Sequence, residues 1–357
     1  MGLTTKCIRL RPAIGGLAAL LLALSSGYSL QAANAPDLYS AQVTVPGADL
    51  AGVFKAALAA VVVRVSGSRA AASPAALASF GDPAILVQQY RATEPGTWQV
   101  GFDPVALRAR FDAAGIAIWG DERPATLVWL AVDQGRGQRE ILAAAAGTDG
   151  GVAPLRATTV TLSGSREILQ QVAAERGLPV LLPLMDSADL QSIRFPDLWG
   201  DFSERVLDAS ARYRADAVLI GRARTPNPAT AQVRWTLLFG GERFNWSGPL
   251  SAGPDRAADL FAERLGTPAG SLQALSVAVQ NVNSLDAYGQ VYRYMSQLDP
   301  VERFEVTAVN GERVLFKLQL RGDADQLLRI IALRRLLQPV DGIANDADLQ
   351  FALNAVP

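Results

Sequence analysis

Histidine is absent from the 357 residues, and cysteine occurs once, as Cys7. These gaps exclude Ser–His–Asp and Cys–His triads, histidine metal ligands and, beyond Cys7, thiolate sites and disulfides. Lysine is scarce too: Lys6, Lys55 and Lys317 are the whole set. Neither Lys55 nor Lys317 follows the Ser-x-x-Lys pattern of a Ser–Lys dyad. Gly135-x-Gly137 lacks the third glycine of a dinucleotide fingerprint, and no phosphate loop occurs. No catalytic residue, cofactor or metal site is therefore expected.

Charge of one sign is lacking as well. The formal net charge is −1, from 33 basic and 34 acidic residues. Residues Met1–Ala35 hold Lys6, Arg9 and Arg11 and no acid, so the remainder has 33 − 3 = 30 bases against 34 acids, or −4. Such a balance is not that of a nucleic-acid binder, nor does it favour an anionic lipid surface. Arginine supplies nearly all positive charge, so a single arginine is weak evidence of phosphate binding. Half the residues are hydrophobic and 19% are charged, which suits packed cores rather than disorder.

The N-terminus reads as a secretory leader. Lys6, Arg9 and Arg11 precede the apolar run Ala13–Leu24, and small residues follow in Gln31-Ala32-Ala33-Asn34-Ala35. Ala33-x-Ala35 has signal-peptidase spacing; Pro36 would then lead the mature chain, so cleavage after Ala32 or Ala33 is the alternative. The run falls short of the roughly 20 residues that span a bilayer. Cys7 lies before it and is not placed as a lipoprotein cysteine. No later segment is apolar enough to span, so a soluble periplasmic protein is expected.

Three α+β regions follow, 36–120, 121–270 and 271–357, after a leader at 1–35. In the first, Tyr39–Val45 reads as a strand and Asp49–Val65 as a helix. Ser73-Pro74, Asp82-Pro83 and Asp103-Pro104 each read as a helix start. Thr97–Phe102 and Ile116–Trp119 read as strands. In the second, Ala125–Val132, Leu178–Leu184 and Ala215–Gly221 read as buried strands, with a further strand near Arg139–Ala143. Ala144–Arg156 and the acid-rich Met185–Gly200 read as loops. Ser165–Arg176 and Asp255–Leu265 read as helices, a capping box at Asp201–Glu204 opens another, and Gln232–Ser247 reads as a hairpin. In the third, the order βαββαβ is that of a ferredoxin-like fold. Its hairpin turns at Asn310-Gly311, read as type I′.

Several stretches carry a resemblance. They are Val87-Gln-Gln-Tyr90, Ala117-Ile-Trp-Gly120 with Arg123-Pro124, Leu127-Val-Trp-Leu130, Leu182-Pro-Leu184, Leu198-Trp-Gly200, and Ala209-Ser-Ala-Arg-Tyr213 with Ala215–Arg222. Together they resemble domain-of-unknown-function family 2066, exported proteobacterial proteins without assigned activity. The Ala215–Gly221 strand, the hairpin with Trp235 and Trp246, and the closing helix are similar to the N-terminal domain of TolB. They are likewise similar to CsgG and to the lipoprotein activators of penicillin-binding proteins. The resemblance implies a middle domain built as a helix-covered mixed sheet that binds envelope proteins, by analogy of fold alone.

Aromatic residues and arginine are enriched at interaction hot spots, which makes Trp119, Arg123, Trp199 and Arg222 the candidate binding residues. Trp119 and Trp199 could instead plug the joint between the first two regions. Trp129 reads as core, and Trp235 and Trp246 as a cross-strand pair. The expectation is a non-catalytic periplasmic module for an envelope protein or peptidoglycan. One alternative is a carboxylate-dependent glycan hydrolase on the cluster Asp186, Asp189, Asp197 and Asp201. Another is a small-molecule carrier with a deep apolar pocket.

Overall fold

The computed structural model describes residues 38–47, 49–144, 159–200, 202–225, 227, 230–270, 272–340 and 346–354. The expected leader and the loop Ala144–Arg156, apart from Ala144, lie outside them. The chain is an α+β fold of small mixed sheets and helices, and Ala35–Pro357 form one compact unit.

The first sheet has the order β1-β3-β2, with β1 at Ser40–Thr44, β2 at Val87–Glu94 and β3 at Thr97–Phe102. Helix α1, Leu50–Ser66, covers it with Val53, Phe54, Ala57, Leu58, Val61, Val62 and Val65. Asp49 caps its start and Gly67 ends it at φ 65°. Ser73 and Asp103 cap α2, Pro74–Ala78, and α3, Pro104–Ala114. Asp82-Pro83 opens only a 3₁₀ turn, and Ile116–Trp119 forms a single bridge, Ile118 to Thr267, rather than a strand.

The central sheet has the order β5-β4-β7-β8-β9, with β6 also beside β4. Its strands are β4 Thr126–Gly135, β5 Gln138–Ile141, β6 Val180–Leu181, β7 Ala217–Arg224, β8 Val233–Phe239 and β9 Glu242–Gly248. Leu178–Leu184 therefore contributes two strand residues, because the rest turns away beside Pro179 and Pro183, which cannot donate to a ladder. Helix α4, Thr159–Arg176, lies on one face, and the expected acidic loop contains two short helices, α5 Ser187–Ser192 and α6 Phe195–Trp199, on the other. Helix α7, Ser203–Ser210, follows Phe202, which makes no side-chain cap; Asp201 of the expected capping box lies outside the described residues. Helix α8, Ala252–Leu265, closes the face that carries α4.

The third sheet has the order β11-β12-β10-β14-β13. It is built from β10 Leu272–Gln280, α9 Leu285–Gln297, β11 Val301–Asn310, β12 Arg313–Arg321, α10 Ala324–Arg334, β13 Leu337–Pro339 and β14 Leu349–Leu353. The βαββαβ order is present with its expected last strand, β14 at Leu349–Leu353. One strand is added: β13, at the edge beside β14, where the helix was expected to run on to Pro339. Strand β14 itself runs parallel to β10. The hairpin pairs Asn310 with Arg313, so its turn residues are Gly311 and Glu312. Only Gly311 has positive φ, 61°, which is type II′ rather than type I′.

Two buried arginines tie these parts together. Arg123 donates from Nε to the Gly120 carbonyl at 2.9 Å and from Nη1 to the Arg176 and Gly177 carbonyls at 2.9 and 3.2 Å. Its Nη2 reaches the Arg64 and Trp119 carbonyls at 2.7 and 2.5 Å. The cation thus sits between the C-terminal ends of α1 and α4, where two helix dipoles favour it. Burial pushes its pKa down to about 9, which leaves it charged at neutral pH. Arg176 completes the tie, donating to the Gly67 carbonyl, Asp255 and Asp259. The third sheet joins through Arg108 to Asp299, Arg334 to Glu122, and Gln326 to the carbonyls of Leu265 and Gly266.

Arg123→Ala should cost at least about 3 kcal/mol, since it strands buried carbonyls. Arg123→Lys should recover less than half of that, because an ammonium offers three donors to carbonyls set around a planar fork. Chemical denaturation measures both; a wild-type midpoint for Arg123→Ala would contradict the tie.

Candidate functional site

The structure separates the four candidate binding residues. Trp119 is fully buried, with Arg123 4.1 Å above its ring and Gly67 against its edge, where a Cβ would come within 2.6 Å of Cε3. Trp119 and Arg123 are thus corrected from exposed anchors to internal joint; covering by α1 and α8 removes both from solvent. Trp199 does not plug that joint. It lies on α6, over the outer face of the central sheet, half-buried. Arg222 is buried beneath it, 7% exposed, donating from Nε to the Leu198 carbonyl at 2.6 Å and from Nη1 to Thr236 Oγ1 at 3.0 Å. Burial, and then the charge of Arg234, lower its pKa. Arg222 therefore fixes the last turn of α6 and positions Trp199 rather than meeting a partner.

Strand periodicity explains what gathers around Trp199. Alternate residues of β7 face opposite sides, so Val218, Ile220, Arg222 and Arg224 share the outer face. Register then adds the neighbours: Asp133 stands beside Arg224 and opposite Arg139, and Arg222 stands opposite Arg234. Like charges directly opposite one another destabilise a sheet, so this face carries a local cost. Helices α5 to α7 cover the apolar end, Leu127, Trp129 and Ile220, and leave Arg139, Arg224 and Arg234 exposed.

The aromatic pair orders these arginines. Phe195 and Trp199, four residues apart on α6, stack with centroids 5.2 Å apart and planes at 20°. Arg139 lies over Phe195 at 5.5 Å, and Arg224 and Arg234 over Trp199 at 5.5 and 5.9 Å. Each such contact contributes about 0.5–1 kcal/mol at an exposed position. Asp133 Oδ2 lies 3.9 Å from Arg224 and 4.0 Å from Arg139, beyond hydrogen-bond range. Among the described residues, these three guanidinium groups make no hydrogen bond, and their donors face solvent. Three residues past Trp199, Phe202 is 55% exposed, its ring against Gly200, with Arg205 5.9 Å above it. Arg139, Arg224, Arg234, Phe195 and Phe202 were not singled out in the sequence. Alternation in Arg222-Ala223-Arg224 and the register of the hairpin were the available signal.

The acid cluster has a different character. Asp186 caps α5 and pairs with Arg212 at 2.6 and 2.8 Å. Asp189 is fully buried and accepts from Tyr213 Oη at 2.5 Å, Met185 N at 2.8 Å and Arg212 at 2.9 Å. Asp197 accepts from Arg194 N and Arg205, each at 2.8 Å. Asp201 lies outside the described residues. All three described acids are engaged in caps and ion pairs. The hydrogen bonds from Arg212 hold Asp186 below the usual carboxylate range, the opposite of what a general acid needs. Among the described residues no cluster of three metal-ligating side chains occurs, and no helix is long and apolar enough to cross a membrane. A cleft of about 580 Å³ lies between α8 and α10, but charged groups line it, including Asp216, Glu242, Arg264, Arg329 and Arg335. That lining does not suit an apolar cargo.

Residues 32–120 match a family described as a domain of unknown function, DUF8605. It is a domain of unknown function, as expected, but not family 2066, and the match covers the first region alone. No curated protein matches the chain, and no solved structure does.

Asp186→Asn keeps a capping side chain but loses the charged pair with Arg212. It should lower stability at neutral pH by at most about 1 kcal/mol, the upper end for an exposed ion pair. The folded-state pKa is depressed, so the difference should persist above about pH 4 and vanish as pH falls through the acid range. Thermal melts of both proteins at pH 7 and at about pH 1.5 measure it, since the contribution is lost only as pH falls through the depressed folded-state pKa; an unchanged gap at the lower pH would contradict the pairing.

Proposed function

We propose that the chain is a non-catalytic envelope module that binds a partner through the Trp199 face. One observation carries this reading: three exposed arginines are gathered over a stacked Phe195–Trp199 pair while their hydrogen-bond donors stay unused among the described residues. Asp133 is one carboxylate set between Arg139 and Arg224, while Arg234 stands opposite Arg222, so the face keeps an excess of positive charge that an added anion would offset. Tryptophan and arginine together are the common composition of binding hot spots. The engaged state of Asp186, Asp189 and Asp197 weighs against the hydrolase reading.

The periplasmic location rests on the leader pattern of Lys6, Arg9, Arg11 and Ala13–Leu24. The resemblance to family 2066 and to the TolB type of domain adds an analogy of the same direction. Protein purified from the cytoplasm with Met1 intact, and none from the periplasm, would remove the location.

Binding is tested by formaldehyde cross-linking in native envelopes, with a tag at the C-terminus, since amine-only reagents find few lysines. A stoichiometric partner should be recovered with the wild type. Trp199→Ala should reduce recovery about 30-fold, the effect of a hot spot worth ~2 kcal/mol. Circular dichroism establishes that the variant is folded. Undiminished recovery with folded Trp199→Ala would overturn the reading.

A further inference from the structure

We propose that the Arg139–Arg224–Arg234 face takes an extended acidic segment of a partner protein, with an apolar side chain of that segment seated on Phe202. This rests on the binding-module reading and specifies the partner.

The rings themselves exclude one class of ligand. A sugar stacks on an open aromatic face, but one face of Trp199 is covered by Phe195 and guanidinium groups lie over the ring. Recognition therefore passes to the arginines. A guanidinium fork matches a carboxylate with two parallel hydrogen bonds, and these forks are ordered without being used. Asp133, with its side chain 13% exposed, already holds one carboxylate oxygen between Arg139 and Arg224. Its fixed negative charge repels a dianionic phosphate more than a singly charged carboxylate.

The spacing fits a short extended chain. Arg139 and Arg224 flank Asp133 in one row across β5, β4 and β7, and Arg234 on β8 stands opposite Arg222, two residues along β7. Three strand steps and one two-residue offset span roughly 16 Å, the length of about five extended residues. Alternate acids on such a segment point the same way, about 7 Å apart. The surroundings then favour protein over glycan or polyphosphate. Leu184, Leu190, Phe202 and Leu207 are large apolar side chains exposed on or beside α5 to α7. Polyphosphate uses none of these contacts and a glycan has only the Phe202 ring to stack on, whereas an acidic peptide with one aromatic residue uses both the cations and Phe202.

The test is fluorescence anisotropy with a labelled peptide of about eight residues, glutamate at alternate positions and one phenylalanine, titrated with the full chain. The wild type should bind, more weakly as salt rises. The same peptide with glutamine for glutamate should bind at least about tenfold more weakly. Arg224→Gln with Arg234→Gln should cost a similar factor, Arg224→Lys with Arg234→Lys an intermediate one, and Phe202→Ser several-fold. These are exposed positions, and circular dichroism verifies the fold. Equal binding of the glutamine peptide, an unaffected glutamine double variant, or tighter binding of inorganic polyphosphate than of the glutamate peptide would overturn the proposal. If the glutamate peptide fails while Trp199→Ala still abolishes envelope capture, the acidic partner falls and the binding module stands. If capture also survives Trp199→Ala, both fall.

Discussion

The structure depends on a cation held by backbone carbonyls. Arg123 takes the C-terminal ends of α1 and α4 into one guanidinium plane, and Arg176 returns from the end of α4 to the end of α1. Helix C-termini carry unsatisfied carbonyls, and burying two of them side by side would be costly without donors. One arginine supplies donors to both at once. That joint sets how the first sheet sits on the central one, and the central sheet in turn presents its opposite face to solvent. The lack of cysteine beyond Cys7 makes the solution intelligible: with no disulfide to hold the parts, the chain relies on buried polar ties and apolar cores.

The two faces of the central sheet divide the main core from the proposed recognition surface. The inner face continues through α4 and α8 into the core beneath the third sheet, with Trp119, Trp235 and Phe261 among its largest members. The outer face is half apolar and covered, half cationic and open. Arg222 stands on the boundary. Its donation to the Leu198 carbonyl anchors α6, so the aromatic pair is held by the same strand that carries Arg224. Arginines ordered over rings on a rigid strand lose little side-chain entropy on meeting an anion, which is the advantage of pre-organisation.

Most of the fold was legible because its signals are local. Asp49, Asp103 and Asp323 each cap the helix that follows them, and β11 and β12 pair as a hairpin, with two bulges and a turn one residue later than expected. The failures have physical causes. Met185–Gly200 reads as a loop because its helices are too short for an apolar period to show, and they persist by docking on the sheet. Strand β13, three residues long, forms only by pairing with the edge of β14, so no local pattern marks it, and the parallel pairing of the expected strand β14 with β10 is equally long-range. The site was legible only at Trp199. Trp119-Gly120 and Trp199-Gly200 look alike in sequence, yet one is enclosed by α1 and α8 and the other faces outward. The arginines were hidden by abundance: where nearly every base is arginine, composition cannot distinguish Arg123 from Arg224, and only register does.

An arginine face with no histidine responds to its surroundings in one way. The ordinary arginine pKa lies far above any physiological pH, so the exposed guanidinium groups stay charged throughout. A carboxylate partner is ionised above about pH 4–5. Between those limits protonation changes nothing, and the strength of the contact is set by ionic screening, with a Debye length of about 8 Å at physiological salt. The proposed recognition face would therefore loosen and tighten with the surrounding salt, while the carbonyl-bound Arg123, buried away from that salt, keeps the scaffold unchanged.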